Sequence, residues 1–308
     1  MPLHLNSPLL DSEPLSQASH RRIRLKLDIL QAPGSFKIRG IGLACESYAR
    51  QGKQRFIASS GGNAGIAVAY AGRRLGIPAV VVVPQSTPEP ARERIRQQGA
   101  TLIVHGAAWH EANALAQSLL TDTDAFIHPF DDPLLWQGHA SLIDELAACS
   151  AAPDAIVLSV GGGGLYSGVV EGLRRNGWDK VAIIAAETAG ADSFARAIAA
   201  GERIALDAIT SVATSLGARQ VCEQAFQLSR QHPTRPAVVS DAAALQACER
   251  FLDDHRMLVE PACGAALALP YDNAQVLQDY QDIVLIVCGG VILPLNAPGS
   301  QSPHNDRG

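Results

Sequence analysis

Lys37 is the side chain best suited to covalent chemistry, because it lies between Phe36 and Ile38 in the segment GSFKIRG, residues 34–40. Apolar neighbours exclude water from an amine, and this lowers the pKa of a lysine. The neutral amine is the form that attacks an aldehyde, so the segment predicts a lysine that forms a Schiff base. From the residues alone, the alternative is an ordinary surface lysine at the start of a helix.

Two glycine-containing loops offer backbone N–H groups to anions. The first, residues 59–65, reads SSGGNAG and lies between a predicted strand and a predicted helix. N–H groups at such a helix start bind carboxylates and phosphates. Asn63 adds an amide that can hydrogen-bond a ligand hydroxyl, but the same residue type also caps helices without any ligand. Both interpretations of Asn63 stay open at this point.

The second loop, residues 161–168, reads GGGGLYSG and also joins a strand to a helix. Its four consecutive glycines cost conformational entropy and pack nothing, and close approach of the backbone to a phosphate would offset that cost. A dinucleotide fingerprint would need a glycine where Tyr166 or Ser167 stands. The loop therefore indicates one phosphate rather than a dinucleotide.

Pyridoxal phosphate would use all three features, because it carries one aldehyde and one phosphate and accepts electrons from a bound amino acid. A non-catalytic protein that senses a phosphorylated ligand would use the glycine loops alone. Such a protein needs no buried lysine, so Lys37 argues against it.

Short apolar runs alternate with amphipathic stretches, and this predicts an α/β fold with mostly parallel sheets. The predicted strands are Arg55–Ala58, Ala79–Val83, Thr101–Val104, Ala155–Val160, Val181–Ala186 and Ile283–Val287. The predicted helices include Ala64–Leu75, Glu89–Gln98, Trp109–Leu120 and Leu165–Arg175.

Composition excludes several classes of protein. The 308 residues carry a net charge of −5, which does not suit a polyanion, so we expect no nucleic-acid partner. No run of eighteen apolar residues occurs, so we expect no membrane span. The six cysteines form no C-x-x-C pair or zinc-site spacing, and the N-terminus does not resemble a secretory signal, so a reduced, cytoplasmic protein is expected.

The chain resembles the serine/threonine dehydratases of the tryptophan-synthase-β-like group (fold type II) of pyridoxal-phosphate enzymes. The motifs are GSFKIRG, SSGGNAG, PFDDPLLWQGHAS, VLSVGGGGLYSGVV, VEPACGAALA and VCGG. The resemblance implies two open, twisted, mostly parallel sheets flanked by helices. It also implies a small domain at 37–131, a large cofactor-binding domain at 1–36 plus 132–296, and a homodimer. The tail at 297–308 is rich in Pro, Ser and Asn, and we expect it to be disordered.

The resemblance assigns roles to individual residues. Lys37 would hold the cofactor as a Schiff base and move the Cα proton, Phe36 would cover one ring face, and Cys288 would face the pyridine nitrogen. Asn63 would bond the 3′-oxygen. The phosphate would bind the backbone of Gly161, Gly162, Gly163, Gly164 and Leu165, and the substrate carboxylate the loop Ser60, Gly61, Gly62, Asn63 and Ala64. A monovalent cation, K⁺, would lie at Gly161, Glu187, Ala191, Ser193, Leu216 and Ala218. Because Glu187 ends an apolar strand, its carboxylate needs a partner of opposite charge, and the alternative to the cation is a salt bridge to an arginine.

The implied reaction is β-elimination of L-serine to pyruvate and ammonia, and also of L-threonine to 2-oxobutanoate. Two alternatives share the fold, namely β-replacement as in cysteine synthase and racemisation. Relatives that racemise have a serine where Gly61 stands, so Gly61 favours elimination. The histidines at 105, 128 and 139 are isolated in sequence, and we expect structural roles for them.

Overall fold

The computed structural model describes residues 1–290, in which helices flank two β-sheets. The predicted disordered tail at 297–308, and residues 291–296 of the predicted large domain, lie outside the described residues. No helix in the described part is long and apolar enough to cross a membrane.

Ten strands form the two sheets: β1 (Leu9–Asp11), β2 (Arg22–Lys26), β3 (Arg55–Ala58), β4 (Ala79–Val83), β5 (Thr101–Val104), β6 (Asp124–Phe126), β7 (Ala155–Ser159), β8 (Ala182–Thr188), β9 (Thr234–Val239) and β10 (Asp282–Ile286). The larger sheet has the order β1-β2-β10-β7-β8-β9, and only β1 runs antiparallel to its neighbour. The smaller sheet has the order β5-β4-β3-β6 and is entirely parallel. All four of its strands fall within the range 37–131.

Eleven α-helices connect and cover these strands: α1 (Glu13–Ser19), α2 (Lys37–Arg50), α3 (Asn63–Leu75), α4 (Glu89–Gln97), α5 (Trp109–Ser118), α6 (Pro133–Cys149), α7 (Gly164–Arg175), α8 (Ser193–Ala200), α9 (Glu223–Ser229), α10 (Asp241–His255) and α11 (Pro261–Tyr271). Because helices cover both faces, the central strands β4 and β7 are buried at every position. Continuous apolar strands of this kind are typical of parallel sheets.

The predicted fold class is confirmed, since two mostly parallel sheets are flanked by helices. Four strands were missed: β1, β2, β6 and β9. β1 and β6 have three residues each, and β9 contains Pro236. β2 alternates apolar residues with the charged side chains of Arg24 and Lys26, both of which are buried in ion pairs. The strand was missed because the prediction relied on continuous apolar runs, and charged residues interrupt this one.

A buried ionic cluster fixes the start of α2 against the larger sheet. The guanidinium of Arg39 is fully buried and donates to both carboxylate oxygens of Asp28, at 2.6 and 2.8 Å. It also donates to both oxygens of Glu145 on α6, at 2.6 and 2.9 Å. Lys26 completes the cluster with a 2.6 Å bond to Glu145. These charges raise the pKa of Arg39 although burial opposes them.

Replacing Arg39 by leucine leaves the Asp28 carboxylate buried without its cation. We expect Arg39→Leu to lower the free energy of unfolding by about 3–5 kcal/mol, as for other broken buried pairs. The measurement is urea denaturation followed by circular dichroism. Arg175→Leu is the matched control, because Arg175 pairs with Asp144 at the surface and should contribute less than about 1 kcal/mol. Equal effects of the two substitutions would contradict the prediction.

Candidate active site

One cavity lies where the two sheets meet, and it brings together residues from distant parts of the chain. Its lining includes every residue predicted to bind the cofactor, namely Phe36, Lys37, Asn63, Gly161, Gly162, Gly163, Gly164, Leu165 and Cys288. Of the predicted cation ligands, Gly161 and Leu216 also line it. Sequence reasoning missed other lining residues, among them Phe130, Ser159, Ser215 and Glu260.

Lys37 is the first residue of α2, and its amine faces this cavity. The Nζ atom donates a 2.6 Å hydrogen bond to the carbonyl oxygen of Pro129. Burial lowers the pKa of the amine to about 8, while the neighbouring Glu260 and Cys288 oppose the shift. The amine is therefore partly neutral near physiological pH, as attack on an aldehyde requires.

Phe36 connects the lysine segment to the end of the larger sheet. Its backbone N–H donates to the carbonyl oxygen of Cys288 at 3.0 Å, and the Lys37 Nζ lies 5.2 Å from its ring centroid. The ring also contacts the imidazole of His139, at a centroid distance of 5.0 Å. Phe36 is thus held at the wall of the cavity through both its backbone and its ring.

Three of the four glycines of the second loop are required by the protein's own packing, which corrects the expectation that they pack nothing. A Cβ at Gly162 would lie 2.3 Å from the ring of Phe130, and one at Gly164 would lie 2.6 Å from the carbonyl oxygen of Phe130. Gly163 has φ +94, and its Cβ would lie 2.5 Å from Ala225. This close packing places the first N–H groups of α7, which lack intrahelical partners, at the cavity wall.

Asn63 begins α3, and Glu260 precedes α11 from the opposite side of the cavity. The Asn63 amide donates to the Glu260 carboxylate at 2.9 Å and approaches the Ser215 hydroxyl at 3.5 Å. These bonds join residues 197 and 152 positions apart in sequence. Nothing in the spacing of the motif VEPACGAALA indicates this contact, although the motif contains Glu260.

Cys288 follows β10 and lies against a second thiol. A side-chain hydrogen bond with Cys263, together with burial, raises the pKa of Cys288 well above its ordinary value. The thiol therefore stays protonated at neutral pH. Cys263 belongs to α11, so the pair links that helix to the end of the larger sheet.

The predicted substrate loop lies beside the cavity and contributes one lining residue, Asn63. Ser60, Gly61, Gly62 and Ala64 belong to the same loop, and within residues 1–290 they are not part of the cavity lining. The Ser60 hydroxyl accepts from the N–H of Gly62 at 3.4 Å. Thr87 covers Gly61, because a Cβ there would lie 2.6 Å from the Thr87 methyl and 2.7 Å from its hydroxyl.

The predicted cation ligands fall into two neighbouring groups. In the first group, Glu187 is fully buried near the end of β8, and its carboxylate accepts from the backbone N–H groups of Phe194 and Ala195 at 2.9 and 2.7 Å. The Glu187 carboxylate therefore bonds the start of a helix. The alternative, a salt bridge to an arginine, is not found within residues 1–290. Burial raises the pKa of Glu187 to about 8. The Ser193 hydroxyl is buried there and has no hydrogen-bond partner among the residues described, and Ala191 pairs with Thr188.

The second group is Gly161, Leu216 and Ala218. A Cβ at Gly161 would lie 3.1 Å from the Leu216 Cα, and Ala218 donates to the Leu216 carbonyl oxygen at 2.7 Å. Neighbouring strands β7 and β8 bring the two groups near one another, because Val160 donates to Ala186 at 2.9 Å. No cluster of three or more His, Cys, Asp or Glu side chains suited to a metal ion occurs within residues 1–290.

The three isolated histidines have different surroundings. His105 is exposed. His139 is fully buried, and neither of its ring nitrogens has a hydrogen-bond partner in the described part of the chain. Burial, with the nearby cations Lys37 and Arg39, lowers the pKa of His139 well below its ordinary value. His128 is partly buried beside the lysine and accepts hydrogen bonds from two backbone N–H groups.

Comparison with known proteins places this geometry in a family. The family model of pyridoxal-phosphate dependent enzymes matches residues 1–289. The chain belongs to this family. It is 50% identical to the L-serine dehydratase/L-threonine deaminase of Mus musculus, over 94% of this chain and 91% of that protein. A fungal L-serine ammonia-lyase from Rhizomucor miehei has a similar structure, with TM-score 0.89 and 36% identity over 94% and 95% of the two chains. Maize serine racemase matches with TM-score 0.87 and 26% identity over 94% and 90%.

The residues in the cavity fit the cofactor that defines these pyridoxal-phosphate enzymes. Lys37 supplies the amine, and the start of α7 supplies N–H groups for a phosphate. The Ser159 hydroxyl lines the cavity, is buried, and lacks a hydrogen-bond partner among residues 1–290, so it can bond a polar ligand there.

Because the pKa of Lys37 is lowered to about 8, its capture of pyridoxal phosphate should increase as pH rises through about 8. An ordinary lysine would need a pH near its usual pKa of about 10.4. Cofactor-free protein is mixed with pyridoxal phosphate at several pH values, reduced with borohydride and mapped by peptide mass spectrometry. The label should appear on Lys37. The exposed amine of Lys53 and the ion-paired amine of Lys26 are internal controls, and preferential labelling of either would overturn the assignment.

Proposed function

We propose that this protein is an L-serine and L-threonine dehydratase that eliminates the β-hydroxyl and releases ammonia. The observation that carries the proposal is the amine of Lys37, held 2.6 Å from the Pro129 oxygen in a cavity that also contains the start of α7. The 50% identical relative from Mus musculus is named for both activities and supports the choice of substrates. The products would be pyruvate from L-serine and 2-oxobutanoate from L-threonine.

When bound, pyridoxal phosphate supplies an aldehyde for the substrate amine and a conjugated ring that accepts electrons. The chain's own residues perform the remaining tasks. The start of α7 would bind the phosphate, and Asn63, which lines the same cavity, would bond the 3′-oxygen. The N–H groups at the start of α3, in the loop 60–64, bind the substrate carboxylate.

Lys37 is the general base for the Cα proton. Its lowered pKa, about 8, allows the neutral amine to accept the proton near physiological pH. The Pro129 carbonyl oxygen accepts a hydrogen bond from Nζ and so directs the amine within the cavity. Cys288 presents a protonated thiol, since Cys263 and burial raise its pKa. Facing the pyridine nitrogen of the cofactor, Cys288 would keep it protonated less effectively than a carboxylate would, and this would favour loss of the β-hydroxyl over reprotonation of Cα.

We expect L-serine to give pyruvate without D-serine, because racemisation needs a second proton donor opposite Lys37 and Gly61 has no side chain. A coupled keto-acid assay measures pyruvate, and chiral chromatography measures D-serine. Lys37→Ala should keep the fold and lower turnover by about 10³-fold or more.

Thr87 provides a control, because its hydroxyl lies at the position that a side chain at residue 61 would occupy. If D-serine forms at a rate comparable to pyruvate, the elimination proposal is wrong, and Thr87→Val then shows whether this hydroxyl is the donor. An absence of keto acid from both substrates would instead favour β-replacement or simple binding of a phosphorylated ligand.

We also propose that K⁺ binds near Glu187 and the carbonyl oxygens of Gly161 and Leu216. A buried carboxylate with nearby backbone carbonyls suits a large hard cation. The Ser193 hydroxyl, which lacks a hydrogen-bond partner among residues 1–290, would be a further oxygen ligand.

Activity in potassium should therefore exceed activity in tetramethylammonium at equal ionic strength. Glu187→Gln should raise the potassium concentration for half-maximal activity by roughly tenfold, because it removes a carboxylate that a bound cation would keep ionised although burial raises its pKa. Glu171→Gln, which changes an exposed glutamate on α7, is the matched control. Equal rates in the two salts would rule out the cation site.

A homodimer is proposed from the family resemblance and from an apolar surface near the N-terminus. Leu5 and Leu30 are about half exposed, at 56% and 50%. The side-chain amide of Gln31 accepts from the N–H of Leu5 and donates to its carbonyl oxygen. Large exposed apolar residues that lie together indicate a contact surface. All six cysteines are free thiols, which suits the cytoplasmic location that we propose.

Light scattering at micromolar concentration should give the mass of two chains. Leu30→Glu should shift the mass toward that of one chain, because a charge would be buried in the contact. Val238→Glu is the control, since Val238 is exposed on β9, at the opposite edge of the larger sheet from β1. A wild-type monomer would contradict the proposal.

A further inference from the structure

The turn formed by residues 128–131 contacts both Lys37 and the glycine loop, on the two sides of the cavity. It lies between β6 and α6, and its Pro129 carbonyl accepts the 2.6 Å hydrogen bond from Lys37. The next residue, Phe130, packs its ring where a Cβ of Gly162 would lie, and its carbonyl oxygen approaches Gly164. The geometry of this turn therefore sets the spacing between the lysine amine and the glycine loop.

His128 holds the turn through a single ring nitrogen. Its Nδ1 accepts from the backbone N–H of Phe130 at 3.2 Å and from that of Asp131 at 2.7 Å. Since a nitrogen that accepts hydrogen bonds carries no proton, Nε2 carries the proton of the neutral ring. The ring also lies edge-on to Phe130, with centroids 4.8 Å apart.

The surroundings keep this imidazole neutral. Burial and the cation of Lys37 lower the pKa of His128 to about 4, and Asp132 opposes the shift. Nδ1 is thus an acceptor throughout the neutral pH range. A second anchor is the indole of Trp136, which donates to the Phe130 carbonyl oxygen at 2.9 Å.

We propose that His128 is a positioning residue for Lys37: its Nδ1 fixes the 128–131 turn, which presents the Pro129 oxygen to the amine and Phe130 to the glycine loop. The inference rests on the proposed function only in taking this cavity as the cofactor site. Without the two N–H bonds, the turn loosens, the Pro129 oxygen moves away from Nζ, and water reaches the amine.

Two substitutions separate the acceptor from the rest of the ring. In His128→Asn, the side-chain oxygen is attached to Cγ, as Nδ1 is, and it can accept from the same N–H groups. In His128→Gln, the oxygen lies one bond farther out and cannot replace Nδ1. His105→Asn is the control for an exposed histidine outside the cavity.

Two readouts are independent of substrate turnover: the affinity for pyridoxal phosphate, from its absorbance, and the pH midpoint for borohydride-trapped labelling of Lys37. The Asn variant should retain wild-type affinity within about threefold and keep the midpoint near 8. The Gln variant should bind at least about tenfold more weakly, and its midpoint should move upward, because renewed hydration favours the protonated amine. Glu260 and Cys288, the other groups near Lys37, are unchanged in every variant.

Equal affinity and equal midpoints for the Asn and Gln variants would overturn the inference, whether both resemble the wild type or both are impaired. If the Gln variant fails to fold, as judged by circular dichroism, the Asn variant decides alone. A labelling midpoint equal to that of the wild type supports the Nδ1 role, and a shifted midpoint refutes it. Keto-acid formation is measured separately. A wild type that binds the cofactor at Lys37 but yields no keto acid would refute the proposed reaction and leave the role of His128 intact.

Discussion

The buried ion pairs of Arg39 are the constraint on which the site depends. Its guanidinium is fully buried and donates four hydrogen bonds to the carboxylates of Asp28 and Glu145. Removing these charges from water costs free energy. Their mutual attraction offsets that cost only if the hydrogen-bond geometry is held closely. Arg39 follows Lys37 by two residues in the first turn of α2, so a rigid bond to the larger sheet and α6 also fixes the reactive amine.

The cavity forms where strands of both sheets end. The loop 59–65 follows β3 of the smaller sheet, the glycine loop follows β7, and Cys288 follows β10 of the larger sheet. Ligands in open parallel sheets bind at the carboxyl ends of the strands, where the following loops converge. The contact of Asn63 with Glu260 then joins the two sides across the cavity. A ligand held between them experiences both sets of groups at once.

The sequence predicted those parts of the site whose properties depend only on residues adjacent in the chain. An amine between Phe36 and Ile38 is desolvated by its neighbours, and glycines between a strand and a helix expose N–H groups. The apolar strands β4 and β7 were recognised because both of their faces are buried. The same logic failed at β2, where ion pairs bury Arg24 and Lys26, and at the end of β8, where the buried carboxyl group of Glu187 interrupts the apolar run.

The sequence by itself predicted a lysine suited to a Schiff base and two loops suited to anions, and it determined the class of fold, because each depends on residues within one segment. Only the tertiary structure decided what those segments meet. It placed Phe130 against the glycine loop, so these glycines are needed for packing whatever ligand the loop binds. It paired Asn63 with Glu260 across 197 positions, joined Cys288 to Cys263, and directed the Pro129 oxygen to Lys37. Contacts between distant segments depend on how helices and sheets pack, and no local pattern specifies that packing.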